Sequence, residues 1–186
     1  MFHYRLALAL WLAGASSVWA QSFLSNIDRF AGVDTSILIG DGGPAYYSTL
    51  AHPAGIARDV AGNLYIAEAA RIRKIDVAGN ISTIAGTGVP DLTGDGGPAT
   101  AAQVEYAANL TVDSKGNIYF EEDGVNIRRI AADGAISTFA GHYANGYNGE
   151  GVPAASATLS AGGLAVDALD QVYFADPENQ IGRAHV

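Results

Sequence analysis

The chain has 186 residues, of which 49% are hydrophobic and 16% are charged, a composition typical of a folded protein rather than a disordered one. Its formal net charge of −9 has the wrong sign for neutralising phosphates, which excludes nucleic acid and anionic membranes as expected partners. No cysteine is present, so disulfides, thiolate nucleophiles and cysteine-ligated zinc are excluded for this sequence.

The first element is a predicted signal peptide over residues 1–20. Arg5 supplies a positive start, residues 6–15 form an apolar core, and the segment ends in a small-x-small cleavage site at Ala20. The uncharged run over 6–20 is shorter than the roughly 20 residues of a membrane-spanning helix, which makes an uncleaved anchor the weaker alternative. We expect cleavage after Ala20, a secreted or periplasmic location, and no membrane span in the mature protein.

Three copies of one pattern follow along the chain. Their equivalent tyrosines, Tyr65, Tyr119 and Tyr173, are 54 residues apart. Each copy contains short runs rich in Ile, Val, Tyr, Phe and Thr, punctuated by Gly-containing turns, and 23 glycines in the chain fit many such turns. This pattern predicts an all-β fold in which each copy is a four-stranded antiparallel meander. The copies occupy about 50–86, 104–141 and, truncated, 159–180, after a leading strand at 27–32.

The order of motifs within a copy is specific. An (L/I)xVDxxGN(L/I)Y run is followed by IRKI or IRRI, then by IST(I/F)AG, and a GDGGPA loop precedes the next copy. This order resembles the NHL repeat of six-bladed, TolB-like β-propellers, especially the long-looped form common in large bacterial exported proteins. The resemblance implies a β-propeller of which residues 21–180 supply about half the ring. Other propeller classes and β-solenoids are the alternatives.

The two ends of the repeat region carry separate expectations. The strand at 27–32 is expected to complete the last blade of a closed ring. The third copy is expected to end at residue 180, because residues 181–186 do not match the repeat and can be encoded by a sequence that resembles a sequencing adapter. We therefore predict a non-native tail at 181–186, give its His185 no functional weight, and expect the fragment to expose strand edges.

The GDGGPA loop is the most attractive candidate for a metal site. Its three copies place one carboxylate each in a glycine-rich loop, at Asp41, Asp95 and Glu150. Calcium takes six to eight oxygen ligands, whereas consecutive turns need only the glycines and the proline. The pattern favours a structural turn, with a calcium site as the alternative and no other cofactor expected.

Two further sets of residues recur in every copy. Each of three aspartates ends a strand just before a turn: Asp59, Asp113 and Asp167. We expect these carboxylates to cap the turn rather than to act in catalysis. The three equivalent tyrosines are expected to pack between blades, with an aromatic binding face as the alternative.

No residue is assigned a catalytic, cofactor-binding or metal-binding role. Outside the predicted signal peptide and tail the only histidines are His52 and His142, which stand at non-equivalent places and are expected to be loop residues. The family resemblance implies a non-enzymatic binding or scaffold module for a protein, peptide or glycan. The alternatives are a metal-dependent propeller enzyme, similar to peptidyl-hydroxyglycine lyases or gluconolactonases, with its site in blades beyond this chain, and a structural or sensor segment of a larger surface protein.

Overall fold

The computed structural model describes residues 29–32, 40–144 and 146–185, so the predicted signal peptide lies outside the described residues. Within this part, the chain forms three separate antiparallel sheets and three single-turn 3-10 helices. We call each sheet a blade. The described residues therefore confirm the predicted all-β fold.

Each blade follows chain order from an inner strand outwards, as the meander pattern predicts. The first blade consists of β1 (Gly55–Arg58), β2 (Leu64–Glu68), β3 (Arg71–Ile75) and β4 (Ile81–Ala85). The second consists of β5 (Ala107–Val112), β6 (Ile118–Glu122), β7 (Asn126–Ile130) and β8 (Ile136–Gly141). The third consists of β9 (Leu164–Val166), β10 (Val172–Asp176) and β11 (Ile181–His185).

The core lies between the faces of neighbouring blades. One buried cluster joins Tyr65 and Ile72 of the first blade to Phe120 and Ile136 of the second. A second cluster joins Tyr119 of the second blade, with other apolar residues, to the third blade. Burial of one such side chain contributes about 1.5–3 kcal/mol. Since β5 contacts β1 on one side and β9 on the other, the three blades form part of a β-propeller.

One close contact between blades requires a glycine. The inner strand β1 approaches β5 so closely at Gly55 that an added Cβ would lie 2.9 Å from the Asn109 backbone nitrogen. Real Cβ atoms do not approach backbone at that distance, so a larger residue at this position would push the first two blades apart.

The leading strand predicted over 27–32 is not present in its described part. Residues 29–32 are not assigned to a strand, and residues 27 and 28 lie outside the described residues. Instead, Ala31 packs with Leu50 against the cluster that contains Ile66, and the Gly32 N–H donates to the Ala45 carbonyl over 3.2 Å. This segment therefore packs on the first blade without extending its sheet.

The third blade is longer than the predicted limit at residue 180. Ile181–His185 forms β11, which pairs antiparallel with β10 from Ile181 opposite Asp176 to His185 opposite Val172. The third strand of this blade is hard to recognise in the sequence because the turn before it is longer than in the other blades. This turn comprises residues 69–70 in the first blade, 123–125 in the second and 177–180 in the third. The non-native origin of residues 181–186 stays a prediction.

Candidate binding site at the loop-rich end

The two ends of each blade differ because neighbouring strands run in opposite directions. The turns after β2, β6 and β10 share one end with the starts of the inner strands, and we call it the loop-rich end. The turns after β1, β3, β5, β7 and β9 lie at the opposite end, which we call the turn end.

The GDGGPA loop lies along the outer edge of its blade. In the second blade the Gly96 N–H donates to the Ile136 carbonyl over 2.8 Å, and the Ile136 N–H donates to Gly97 over 3.0 Å. Gly42, Gly43 and Ile81 repeat this pairing in the first blade. Because it pairs the start of the outer strand, the loop covers an edge that would otherwise offer free hydrogen-bonding groups.

The loop carboxylates hold a buried arginine in each of the first two blades. Arg128 donates from one terminal nitrogen to Asp95 over 2.7 Å and from the other to Glu122 over 3.2 Å. Arg73 contacts Asp41 and Glu68 at the same two distances. These contacts confirm the structural role of the loop in two copies, since each carboxylate there bonds an arginine.

The third copy has no such contact among the described residues. Arg183 donates through Nε to Asp176 over 2.8 Å, which reproduces the inner half of the arrangement. Glu150, which takes the place of the loop aspartate, instead accepts a hydrogen bond from the Tyr147 hydroxyl, and the Arg183 guanidinium lies over the Tyr147 ring.

The inner carboxylate of the second blade has a perturbed pKa. Burial raises the pKa of Glu122 to about 7, and the nearby Arg128 offsets only part of that increase. Glu122 also accepts a hydrogen bond from the Glu105 N–H, so it ties the inner strand connection to the blade. Burial raises the pKa of Glu68 in the same way. These glutamates are buried structural groups.

The repeated aspartates cap their turns, as the sequence predicts. Asp113 accepts hydrogen bonds from the backbone and side-chain nitrogens of Asn117, at 2.8 and 2.6 Å, and from the Tyr119 hydroxyl at 3.2 Å. Asp59 accepts the same three bonds in the first blade, and Asp167 accepts two of them in the third, from the Gln171 backbone N–H and the Tyr173 hydroxyl. Burial opposes ionisation of Asp59, but its hydrogen bonds outweigh burial and lower its pKa.

The packing prediction for the tyrosines is confirmed in two blades. Tyr65 and Tyr119 are buried between blades, and burial together with the Asp59 carboxylate raises the pKa of Tyr65 to about 12. Tyr173, in contrast, is 39% exposed. Among the described residues, no further blade packs against the face of the third blade that carries Tyr173.

The histidines do not meet in the described structure. His52 and His142 are both exposed, and His52 precedes β1 whereas His142 follows β8. Residues 29–32, 40–144 and 146–185 contain no group of three or more histidine or carboxylate side chains arranged to hold a metal ion. This described part also contains no helix with the length and apolar character needed to span a bilayer.

Strained backbone is concentrated at the loop-rich end. Seven described non-glycine residues have positive φ, and six of them lie at this end: His52, Tyr106, Asn109, Asp123, Tyr143 and Gln180. Positive φ is uncommon outside glycine, and such strain clusters at ligand sites. Tyr106 combines a φ of 43° with 62% exposure. The loop-rich end is therefore the candidate binding site.

Tyr106, Asn109 and Glu121 at this end are not identifiable as site residues from any single motif. Their signal is a departure from the repeat: Asn109 stands where the other blades have Gly55 and Gly163, and lining up the three copies position by position would have found it.

Comparisons with known proteins agree with this architecture. Residues 23–93 match the family described as the teneurin NHL domain. Teneurin-1 of Gallus gallus is 31% identical over 137 residues, which cover 68% of this chain and 5% of teneurin-1. The chain thus spans a small part of that relative.

Two solved structures from Bacteroides thetaiotaomicron share the fold. A protein of unknown function has a TM-score of 0.58 at 22% identity, over 71% of this chain and 34% of that chain. An auxiliary nutrient binding protein has a TM-score of 0.54 at 20% identity, over 69% of this chain and 36% of that chain. Together with the motif order and the three meander blades, these findings give the conclusion that the chain belongs to the NHL-repeat family of β-propeller proteins.

Proposed function

We propose that this protein is a non-enzymatic binding module that takes a protein, peptide or glycan ligand at its loop-rich end. The observation that carries the proposal is the concentration there of residues with left-handed backbone conformation, above all the exposed Tyr106. Tyrosine is enriched among the residues that dominate binding energy, because it offers a large rigid surface with a polar tip.

The repeated polar groups support the same proposal by elimination. The loop carboxylates Asp41 and Asp95 bond arginines, and the strand-end aspartates cap turns, so these conspicuous acidic groups already have structural partners. One protein of similar fold is named an auxiliary nutrient binding protein, and this name is consistent with a binding function.

The test is a screen of the chain on peptide and glycan arrays, followed by variants of the loop-rich end. His52→Ala combined with Tyr106→Ala is expected to weaken binding of the array ligand by roughly tenfold or more, as loss of an interface tyrosine does. Val60→Ala combined with Leu169→Ala is the matched control, because these exposed residues lie at the turn end. Binding that is lost in the control and kept in the first variant would place the ligand elsewhere and refute the proposal.

We further infer that the protein is exported and that it begins at Gln21 after cleavage. Arg5, the apolar run over 6–15 and Ala20 support this inference. Intact mass measurement of the protein recovered from a secreting host is expected to show a chain without residues 1–20. A chain that retains Met1 and remains with the cells would contradict export.

A further inference from the structure

Two polar residues of the second blade interrupt the repeat at neighbouring positions. Glu121 of β6 corresponds to Ala67 in the first blade and Ala175 in the third, as the pairing with the third strands shows. Asn109 of β5 corresponds to Gly55 and Gly163, since each precedes the residue paired with the centre of the second strand. The second blade therefore replaces two small residues by a carboxylate and a carboxamide.

The two replacements contact each other. The Asn109 side-chain nitrogen donates to Glu121 Oε2 over 2.5 Å. Because an ionised carboxylate only accepts hydrogen bonds, this contact fixes the orientation of the amide and leaves Asn109 Oδ1 as a second acceptor. Among the described residues, no hydrogen-bond donor contacts Glu121 Oε1. The pair thus presents two acceptor oxygens, Glu121 Oε1 and Asn109 Oδ1, beside the second N–H of the Asn109 amide.

Both side chains are partly exposed, and no cation among the described residues affects the pKa of Glu121. In the first blade, Ala67 takes the place of Glu121 and is fully buried in the core. In the second blade, Glu121 and Asn109 are both partly exposed. Burial raises the pKa of Glu121, with the Asn109 hydrogen bond acting against it and no cation contributing.

The pair has costs that packing does not explain. A partly buried carboxylate replaces an alanine, and Asn109, at a shift in the β5–β6 register, has a φ of 30° that neither Gly55 nor Gly163 adopts. Residues that break a local rule without a compensating contact are the ones expected at functional sites.

We propose that Glu121 and Asn109 form a recognition site for a cationic donor group, an ammonium or guanidinium of a protein or peptide ligand. Such a group carries only hydrogen-bond donors and therefore matches two acceptor oxygens. The formal net charge of −9 favours the approach of a cationic ligand at low salt. This inference rests on the proposed function, because it assigns the ligand chemistry of the loop-rich end.

The test is titration calorimetry of the full chain with pentalysine amide at low ionic strength, beside the same peptide with acetylated side chains. The wild-type chain is expected to bind the first peptide and to bind the acetylated one at least tenfold more weakly. The double variant Asn109→Gly with Glu121→Ala, which restores the residues of the other blades, is expected to lose at least tenfold in pentalysine affinity. The control Glu178→Ala removes an exposed carboxylate from the same end and is expected to keep the affinity within about twofold.

Thermal unfolding of the same double variant separates recognition from structure. Its unfolding temperature is expected to equal or exceed that of the wild-type chain, because the variant relieves strain and removes a partly buried charge. Unchanged pentalysine binding in the double variant, equal binding of the acetylated peptide, or a lower unfolding temperature would overturn the proposal. If only this inference fails, binding of the array ligand still depends on Tyr106. If the proposed function fails, that dependence is lost as well, so the two failures are distinguishable.

Discussion

The second and third blades hold an arginine at the same register position with different partners. Arg128 lies opposite Phe120 and Arg183 lies opposite Phe174, and each bonds the carboxylate that ends the preceding strand. Arg128 also bonds Asp95 of the glycine-rich loop, whereas Arg183 has the Tyr147 ring as its further neighbour. The ion pair between the arginine and the strand-end carboxylate is therefore common to both blades. The bond from the loop aspartate, which attaches the long connection to the arginine, is present in the second blade and not in the described part of the third.

The largest expected effect comes from removing the shared arginine. Arg128→Ala leaves Glu122, which has no exposed surface, without its cation, and we expect a loss of about 3–5 kcal/mol in the free energy of unfolding. Arg183→Ala is expected to cost less, because the Arg183 side chain is partly exposed. Urea denaturation followed by circular dichroism measures both. Equal losses in the two variants would contradict the difference between the blades.

The pH dependence of stability tests the buried carboxylate of the second blade. The pKa of Glu122 is raised from its ordinary value of 4.5 to about 7 by burial, so the folded state holds this proton more tightly than the unfolded state. The resulting stabilisation is complete below pH 4.5 and is lost as the pH rises through about 7. The slope is at most about 1.4 kcal/mol per pH unit.

Glu122→Gln is the matched variant for this measurement, because it keeps the shape of the side chain and cannot ionise. The difference in the free energy of unfolding between wild type and variant is expected to move against the wild type from pH 4.5 to 7. Denaturation curves at several pH values measure that difference. A difference that stays constant over this window would show that Glu122 titrates at its ordinary pKa.

The smallest expected effect comes from the loop aspartate. Asp95→Ala removes the bond to Arg128 and the bond accepted from the Thr138 N–H, and we expect a loss of about 1–2 kcal/mol because Asp95 is partly exposed. Glu150→Ala, at the same place in the third copy, is expected to change stability little, since the described residues give Glu150 one exposed hydrogen bond, from the Tyr147 hydroxyl. The two variants are compared by urea denaturation. A larger loss in Glu150→Ala would reverse the comparison.

The structural roles at repeated positions were predictable from single motifs. An aspartate followed by Gly-Asn and tyrosine specifies a capped turn, and the structure contains that turn at Asp59 and Asp113. For the GDGGPA loop, the sequence predicts the turn but not the partner of its carboxylate. The turn follows from glycine and proline, but Arg128 lies 33 residues after Asp95, so no local pattern joins them.

The sequence by itself determined the all-β fold, the three-copy period and the grouping of β1 to β10 into three blades, because alternating apolar residues and turn residues act over short distances. Tertiary structure decided which polar groups meet. It places Ile181–His185 beside β10, brings Asp95 to Arg128, and brings Asn109 to Glu121 at the loop-rich end. These contacts depend on how strands pair and how the long connections run along the blade edges, and sequence spacing does not specify either.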